Sequence, residues 1–596
     1  MSYGEFMQSL RHRLTLGFLA FVWAVLLLRI FILTIKTNDY FEQLALRNMT
    51  KKEILVPTRG LIMDRRHELL AINELGFSIS LAPSLKKDAL QTQLEFLQHY
   101  FPTLDIQDAL ENYQRQNSFY NHNTIPILDF VPYDKMQTLY PKLLLNPQIY
   151  ITATNKRHYP NNTLASHVIG YLGAADSKDL QSDPKSQYTH TIGKTGLEKQ
   201  YNDLLQGEMG YKLVSVNALN QELEVLKKQE PKTNNNLILS LDKRLQQRAD
   251  ALFVDKRGAL VVMDIHTGEI LAAGSYPEYN LNEFIGGISV ANWKNLQEDI
   301  YNPLLNRFTN GLYPPGSVVK MGSALSFLEY LPITEKTQIP TPAYIEVGKR
   351  KFRDWKPGGH GESDLYKAIK ESVDVYFYKF ALDISIENLA KTLRQMGFGK
   401  KTGIDLPNEF VGILPDPSWK MKRFGDVWNT GDTLITSIGQ GSFLATPIQV
   451  ANYTALIASG KLPTPHFFLK GQFPVRDVLN SFQKSKLSAL RQGMYEACST
   501  QGGTAYYSTR GVKVALACKT GTAQVVEIDQ STKTRIKEQD MEYLHRSHAW
   551  ITAFLPYKKP KYVITILVEH GGGGSKNGFI LKEMANALVE LGYIKP

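Results

Sequence analysis

Cysteine is scarce: Cys498 and Cys518 are the only two in 596 residues. That count excludes a disulfide framework and any zinc site built on clustered cysteines. A single bridge in an oxidising compartment stays open, but the pair reads first as two small buried side chains. No Cys/His spacing of metal-ligand type, no P-loop and no dinucleotide fingerprint occurs. Net charge is +11, yet the basic residues are spread along the chain rather than clustered, which argues against nucleic acid. The charge fits either a generally basic surface or a protein beside anionic lipid or an anionic polymer. With 43% hydrophobic and 21% charged residues the chain is expected to fold. Its length accommodates roughly two to four domains.

One long apolar run is present. Leu14 to Ile35 gives twenty-two almost entirely apolar residues, enough to cross the ~30 Å hydrocarbon core of a bilayer as a helix. Arg29 lies near its far end, where a long side chain snorkels to the interface, and Lys36 follows just outside. The run exceeds the h-region of a signal peptide, and Thr34-Ile-Lys-Thr-Asn-Asp-Tyr40 offers no small-x-small cleavage site, so the helix is expected to stay as an anchor. Arg11 and Arg13 close a polar segment, 1–13, and place it in the cytoplasm, although Lys36 weakens the bias. The remainder is then outside.

Residues 37–235 alternate short β-like runs with polar helical stretches and hold few constellations of catalytic type. In Val56-Pro-Thr-Arg-Gly-Leu-Ile-Met-Asp-Arg65, a strand and turn make Arg59 and Asp64 available for a structural ion pair. His167, in His167-Val-Ile-Gly-Tyr-Leu-Gly173, reads as a packed or hydrogen-bonded residue because no partner stands at ligand spacing. The polar stretch 231–236 reads as a linker, and an apolar strand over Leu237–Asp242 opens a last domain, 236–596. There a His266-Thr-Gly268 turn joins Gly258–Ile265 to Glu269–Gly274 as a hairpin. A largely helical middle runs from about Ser317 to Ser459. Strands follow at Lys513–Cys518, His548–Phe554 and Tyr562–Val568, with a final helix at Ile580–Leu591. One sheet with helices on its faces accounts for that order, an α/β or α+β class.

The stretch Gly311-Leu-Tyr-Pro-Pro-Gly-Ser-Val-Val-Lys320 carries the most chemistry. Its Pro-Pro-Gly turn delivers Ser317 to the start of an apolar helix closed by Pro332, where unpaired N–H groups and the helix dipole favour an alkoxide or oxyanion. Lys320 shares the helix face and can take the hydroxyl proton if burial holds its amine neutral. Ser-x-x-Lys alone is common by chance. Ser372-Val-Asp374, however, puts a hydroxyl and a carboxylate at the head of the aromatic run Tyr376-Phe-Tyr378, where both can meet Lys320. Lys519-Thr-Gly-Thr-Ala-Gln524 extends from the strand ending at Cys518. Gly521 there admits a close substrate backbone, and Lys519, Thr520 and Thr522 can hold a carboxylate. Lys-Thr-Gly also occurs at 194–196 and 401–403, but only the third copy caps a strong strand and follows Ser317 and Ser372 in order.

That ordered set resembles the motifs of penicillin-binding proteins and class A β-lactamases. Tyr313-Pro-Pro-Gly316, Arg353-Asp-Trp-Lys356 with Gly359-His-Gly361, Thr402-Gly-Ile-Asp-Leu-Pro407, Ile438-Gly-Gln-Gly441 with Thr446-Pro-Ile-Gln449, and Arg59-Gly60 are similar to the class B group, closest to its penicillin-binding protein 2 subgroup. The resemblance covers nearly the whole chain. It implies a multidomain α+β protein with a single transmembrane helix (14–35), a mixed α/β pedestal of dimerisation type (37–235) and a β-lactamase-like transpeptidase domain (236–596), an antiparallel sheet flanked by helices.

In function it implies a peptidoglycan D,D-transpeptidase of cell elongation, acylated by β-lactams. It would sit in the inner membrane, N-terminus cytoplasmic and catalytic domain periplasmic. Ser317 would attack the penultimate D-Ala carbonyl of a stem pentapeptide, with Lys320 as base and Ser372 assisting. The N–H groups of Ser317 and Thr522 would form the oxyanion hole, while Lys519, Thr520, Gly521 and Thr522 bind the substrate. Implied partners are lipid II-derived strands, a RodA-type SEDS glycosyltransferase and elongation-complex proteins. The alternative is mainly a scaffold for that glycosyltransferase. No cofactor is implied. Some relatives hold zinc through the Asp of Arg-Asp-Trp-Lys, the His of Gly-His-Gly and a Cys inside the second motif. Here Asp354 and His360 remain but Val373 replaces the cysteine, so no metal is expected, and His360 reads as a turn histidine in structural hydrogen bonds. Asp374 departs from the more general Asn, replacing a donor-capable amide with an acceptor-only carboxylate. A β-lactamase reading lacks a Glu-x-x-Leu-Asn passage to supply a deacylating base.

Overall fold

The computed structural model describes residues 3–36, 49–118, 123–217, 222–232, 236–525 and 538–595. They form two compact units that interleave along the chain. The first comprises Met1–Thr58, Leu75–Asn155 and Gly207–Thr233; the second comprises Arg59–Glu74, Lys156–Gln206 and Asn234–Pro596. The stretch before residue 235 thus contributes to both, and 233–235 of the expected linker lie outside the described residues.

Helix α1 (Tyr3–Phe31) runs into a π-helical turn, Ile32–Lys36, so the polar segment is helical from Tyr3 to Arg13 as well. Within it Leu10–Ile35, 26 residues of mean hydropathy 2.6, is long and apolar enough to cross a bilayer. In the rest of the first unit, Leu90, Leu94 and Leu97 recur at helical spacing on Lys87–Tyr100 and join Ile79, Leu81, Ile125 and Val131 in one core. Thr50–Leu55, Gly210–Val216 and Glu222–Gln229 make a separate antiparallel sheet.

The second unit is built on five strands: β1 (Gly258–Asp264), β2 (Ile270–Tyr276), β3 (Ala517–Ala523), β4 (His548–Leu555) and β5 (Tyr562–Val568). Their order is β2-β1-β5-β4-β3, every neighbour antiparallel, with β1 and β2 the expected hairpin. Both faces are covered, which is why the strands read as unbroken apolar runs. Ala259, Val261 and Met263 enter one core, Leu260 and Val262 the other. The first core takes in helices α2 (Lys320–Tyr330), α3 (Asp374–Ala381) and α4 (Pro447–Ser459); the second takes in α5 (Gly578–Glu590).

Four expectations change. Strand β3 starts at Ala517, not Lys513, and contains Lys519-Thr-Gly521 rather than preceding it. Upstream, Lys513 N–H is taken by Asn586 of α5 and Ala515 C=O by Tyr557, so that segment is tied to a helix and a loop instead of the sheet. Leu237–Ile238 is a short strand pairing in parallel with Ile62–Met63, outside the main sheet. Cys498 and Cys518 are buried as expected but joined in a disulfide, because the helix Ser481–Ser499 crosses β3 and brings their Cα atoms to 5.8 Å.

Arg59, lastly, does not pair with Asp64. Its guanidinium lies 2.7 Å from the buried Glu198, which also meets Arg157 at 2.7 Å and accepts from Tyr159 at 3.2 Å. Asp64 instead accepts the backbone N–H groups of Arg66, Glu68 and Lys243. His167 is buried with Nε2 2.8 Å from Pro303 O, and burial pulls its imidazole down to about 3. Burial alone would push the Glu198 carboxyl up, but the two guanidiniums hold it below its usual value. Removing the anion between buried Arg157 and partly buried Arg59 leaves both guanidiniums without it. Glu198→Ala is expected to cost about 3–5 kcal/mol in thermal or denaturant unfolding; a loss under about 1 kcal/mol would contradict this role.

Candidate active site

Ser317 sits in a 3-10 turn, Gly316–Val319, that feeds directly into α2. Two aromatic residues fix that joint. Tyr453 of α4 accepts Gly322 N–H at 2.6 Å and donates to Val319 O at 3.0 Å, and Trp550 of β4 donates its indole N–H to Pro314 O at 3.0 Å. The turn packs on β3 at Gly521, where a methyl would fall 3.1 Å from both Pro315 O and Val318 Cγ1. On that face of β3 the absence of a side chain at Gly521 makes room for the turn itself.

Lys320 is fully buried. Its Nζ donates to Asp374 Oδ1 at 2.7 Å, Ser372 O at 2.9 Å and Ser372 Oγ at 3.3 Å. Among the described residues it makes no hydrogen bond to Ser317; the amine expected to touch the nucleophile is instead ion-paired to the second motif. Ser372 holds a left-handed φ of 59° between the helix Leu365–Lys370 and α3, a conformation that costs a non-glycine residue about 1–3 kcal/mol. From β3, Lys519 Nζ reaches Ser372 Oγ at 2.8 Å and Thr520 O at 2.9 Å. One hydroxyl therefore accepts from two amines. Burial pushes the Lys519 ammonium well below its ordinary value, and the charge of Lys320 acts the same way. Burial pushes the Asp374 carboxyl up, against the pull of Lys320.

The structure thus brings Lys320, Ser372, Asp374 and Lys519 into one contact and sets Ser317 at the head of the same helix. Thr520 and Thr522 lie on the same strand edge, but Thr520 Oγ1 donates to Thr504 Oγ1 at 2.8 Å and Thr522 Oγ1 accepts Gly574 N–H at 3.4 Å.

Residues 258–590 match the penicillin binding protein transpeptidase domain and residues 54–239 the penicillin-binding protein dimerisation domain. Over 93% of its length the chain is 34% identical to the peptidoglycan D,D-transpeptidase MrdA of Haemophilus influenzae, covering 87% of that protein. It is 32% identical to MrdA of Escherichia coli K12, again over 93% of this chain and 90% of that one. The chain belongs to the penicillin-binding protein 2 (MrdA) family of peptidoglycan D,D-transpeptidases. Among solved structures, the complex of penicillin-binding protein 2 with MreC from Helicobacter pylori matches with a TM-score of 0.86 and 64% identity, over 92% of this chain and all of that one. The transpeptidase is accordingly a serine-type acyl-transfer enzyme, in a mixed α/β architecture with an antiparallel sheet.

Several contacts of the transpeptidase carry no motif of their own. Tyr453, Trp550 and Thr504 hold the site from positions that a sequence pattern does not mark, since each acts through one side-chain atom on a distant backbone or hydroxyl. Glu371 is another. His360 is buried between two carboxylates, Nε2 3.0 Å from Asp354 Oδ1 and Nδ1 2.7 Å from Glu371 Oε2, while Asp354 Oδ2 accepts Val375 N–H in the first turn of α3 at 3.0 Å. His360 thus makes structural hydrogen bonds behind the second motif. Among the described residues no group of three His, Cys, Asp or Glu side chains is placed to hold a metal ion.

Burial lowers the His360 imidazolium, but the hydrogen bonds and charges of Asp354 and Glu371 outweigh it and raise it above its usual 6.5. A histidine raised on folding adds stability that is full below the unfolded value and lost as pH rises through the folded one. The melting-temperature gap between the wild type and His360→Gln is therefore expected to be widest near pH 6 and to narrow as pH rises from there through the raised value. A gap that widens with pH would contradict the pairing.

Proposed function

We propose that Ser317 is the acylated nucleophile of this transpeptidase. The observation that supports it most is the meeting of Lys320, Ser372 and Lys519 on one hydroxyl beside the Ser317 turn. Ser317 Oγ attacks the penultimate D-Ala carbonyl and its proton passes to Lys320, which first gives its own proton to Asp374, a carboxyl that burial pushes upward. Ser372 relays a proton to the leaving D-Ala amine, and the acyl group passes to an amine of a neighbouring stem. A methyl at Gly316 would lie 3.0 Å from Thr522 O and 3.4 Å from Thr522 N, so both atoms face the Ser317 turn. In an antiparallel strand the N–H and C=O of a residue point the same way, which supports Thr522 N–H as the second oxyanion donor beside Ser317 N–H. Lys519, with the Thr520 and Thr522 hydroxyls on the same edge, takes the substrate carboxylate, and Gly521 seats the nucleophile turn.

At cell level the reading is cross-linking during elongation, inhibited by β-lactams. Arg11 and Arg13 favour a cytoplasmic N-terminus for the spanning helix and a periplasmic catalytic unit, with 37–235 as the pedestal and 236–596 as the transpeptidase domain. The likeness to a penicillin-binding protein 2 solved with MreC supports an elongation-complex partner of that kind, and a RodA-type glycosyltransferase is the proposed partner of the apolar α1 helix. No observation favours the scaffold alternative.

Intact-mass spectrometry after incubation with penicillin tests the assignment. One adduct is expected on the wild type and none on Ser317→Ala, with acylation of Ser372→Ala slowed about 10²–10⁴-fold. An adduct that persists on Ser317→Ala would overturn it.

A further inference from the structure

Strand β3 is the edge of its sheet, and nothing in the sheet itself holds its outer side. An edge strand left so can tilt or slip, yet an oxyanion donor has to keep its aim within a few tenths of an ångström. The outer side is held instead by the loop Ile438-Gly-Gln-Gly441. Gln440 Nε2 donates to Thr522 O at 2.8 Å, and Gln440 Oε1 accepts Gln524 N–H at 3.4 Å. The side-chain amide thus occupies an outward-facing carbonyl of β3 and the N–H of the residue just past its end, as a residue of a neighbouring strand would.

The same loop grips the nucleophile turn. Gly316 N–H donates to Gly439 O at 2.7 Å, and a methyl at Gly439, whose φ is 73°, would lie only 2.4 Å from Gly316 O. Two adjacent loop residues therefore bind the two backbones flanking the reacting carbon, Gly439 the residue before Ser317 and Gln440 the carbonyl of Thr522. Glutamine suits the second task because its amide carries a donor and an acceptor at one end; a carboxylate lacks the donor and an ammonium the acceptor.

We propose that Gln440 is a positioning residue that sets the spacing between the Ser317 and Thr522 N–H groups, and so the fit of the oxyanion hole. The proposal rests on the assignment of Ser317 as nucleophile and Thr522 N–H as oxyanion donor. It separates hydrogen bonding from bulk. Methionine fills the same space with no amide, so Gln440→Met should be as impaired as Gln440→Ala.

Stopped-flow acylation of the full chain by a fluorescent penicillin gives the limiting rate constant k2 and the non-covalent Kd separately. For both variants k2 is expected to fall at least about tenfold, a fraction of the ~10²–10³ that a whole oxyanion donor supplies, while Kd changes by less than about threefold and Tm stays within about 3 °C. Wild-type k2 in Gln440→Met would show that bulk alone matters and would overturn the proposal. A rise in k2, meaning that the amide shields the edge, would overturn it too, as would failure of both variants to fold. Absence of wild-type labelling at Ser317 is a separate outcome, visible before any variant is compared, and it would remove the nucleophile assignment and this inference with it.

Discussion

Two lysine side chains with no solvent exposure converge on one serine hydroxyl, and the second unit is organised to make that tolerable. A buried ammonium is costly unless paired, and a second one beside it is costlier. Asp374 supplies a carboxylate at 2.7 Å from Lys320, and Lys519 is driven towards its uncharged form by burial and by its neighbour. The result is a cluster close to electroneutral in which a proton can change owner over short hydrogen bonds. The departure of Asp374 from the amide common in this position acquires a physical sense here: an amide could accept from Lys320 but could not hold its proton.

The convergence relies on three segments distant in sequence, and each is held by packing rather than by local preference. Lys320 follows the Ser317 turn on α2, whose buried face is stitched to α4 by Tyr453. Ser372 is held in a left-handed conformation by the helices before and after it, with the Asp354–His360–Glu371 group behind α3. Lys519 is carried by an edge strand of a sheet buried on both faces, which gives it a rigid base while leaving one side open to the site. Strain at Ser372 and buried charge at Lys320 are thus borne by a large apolar core.

Much of this was legible in the residues. The apolar helix at the N-terminus, the Gly258–Tyr276 hairpin, the strands at His548 and Tyr562 and the last helix follow from runs whose periodicity matches the observed burial. The three motifs were legible because turn chemistry and helix spacing fix Ser317 relative to Lys320. What could not be read were partners chosen by tertiary packing. Arg59 finds Glu198, 139 residues away, instead of Asp64 close by. The start of β3 is hidden because Lys513–Leu516 is as apolar as a strand but spends its backbone groups on α5 and a loop. The interleaving of the two units is likewise invisible to composition, since 59–74 and 156–206 resemble their neighbours and differ only in what they pack against.

The most direct check on this arrangement is a crystal structure of the penicillin-treated protein. Continuous density is expected from Ser317 Oγ to the penicilloyl carbonyl carbon, with the carbonyl oxygen about 2.7–3.1 Å from the N–H groups of Ser317 and Thr522. The penicillin carboxylate should lie on the edge of β3 beside Lys519. A bond to a different residue, or an adduct at Ser317 whose oxygen points away from Thr522 with Lys519 out of reach, would contradict the convergence of the three segments on one reacting carbonyl.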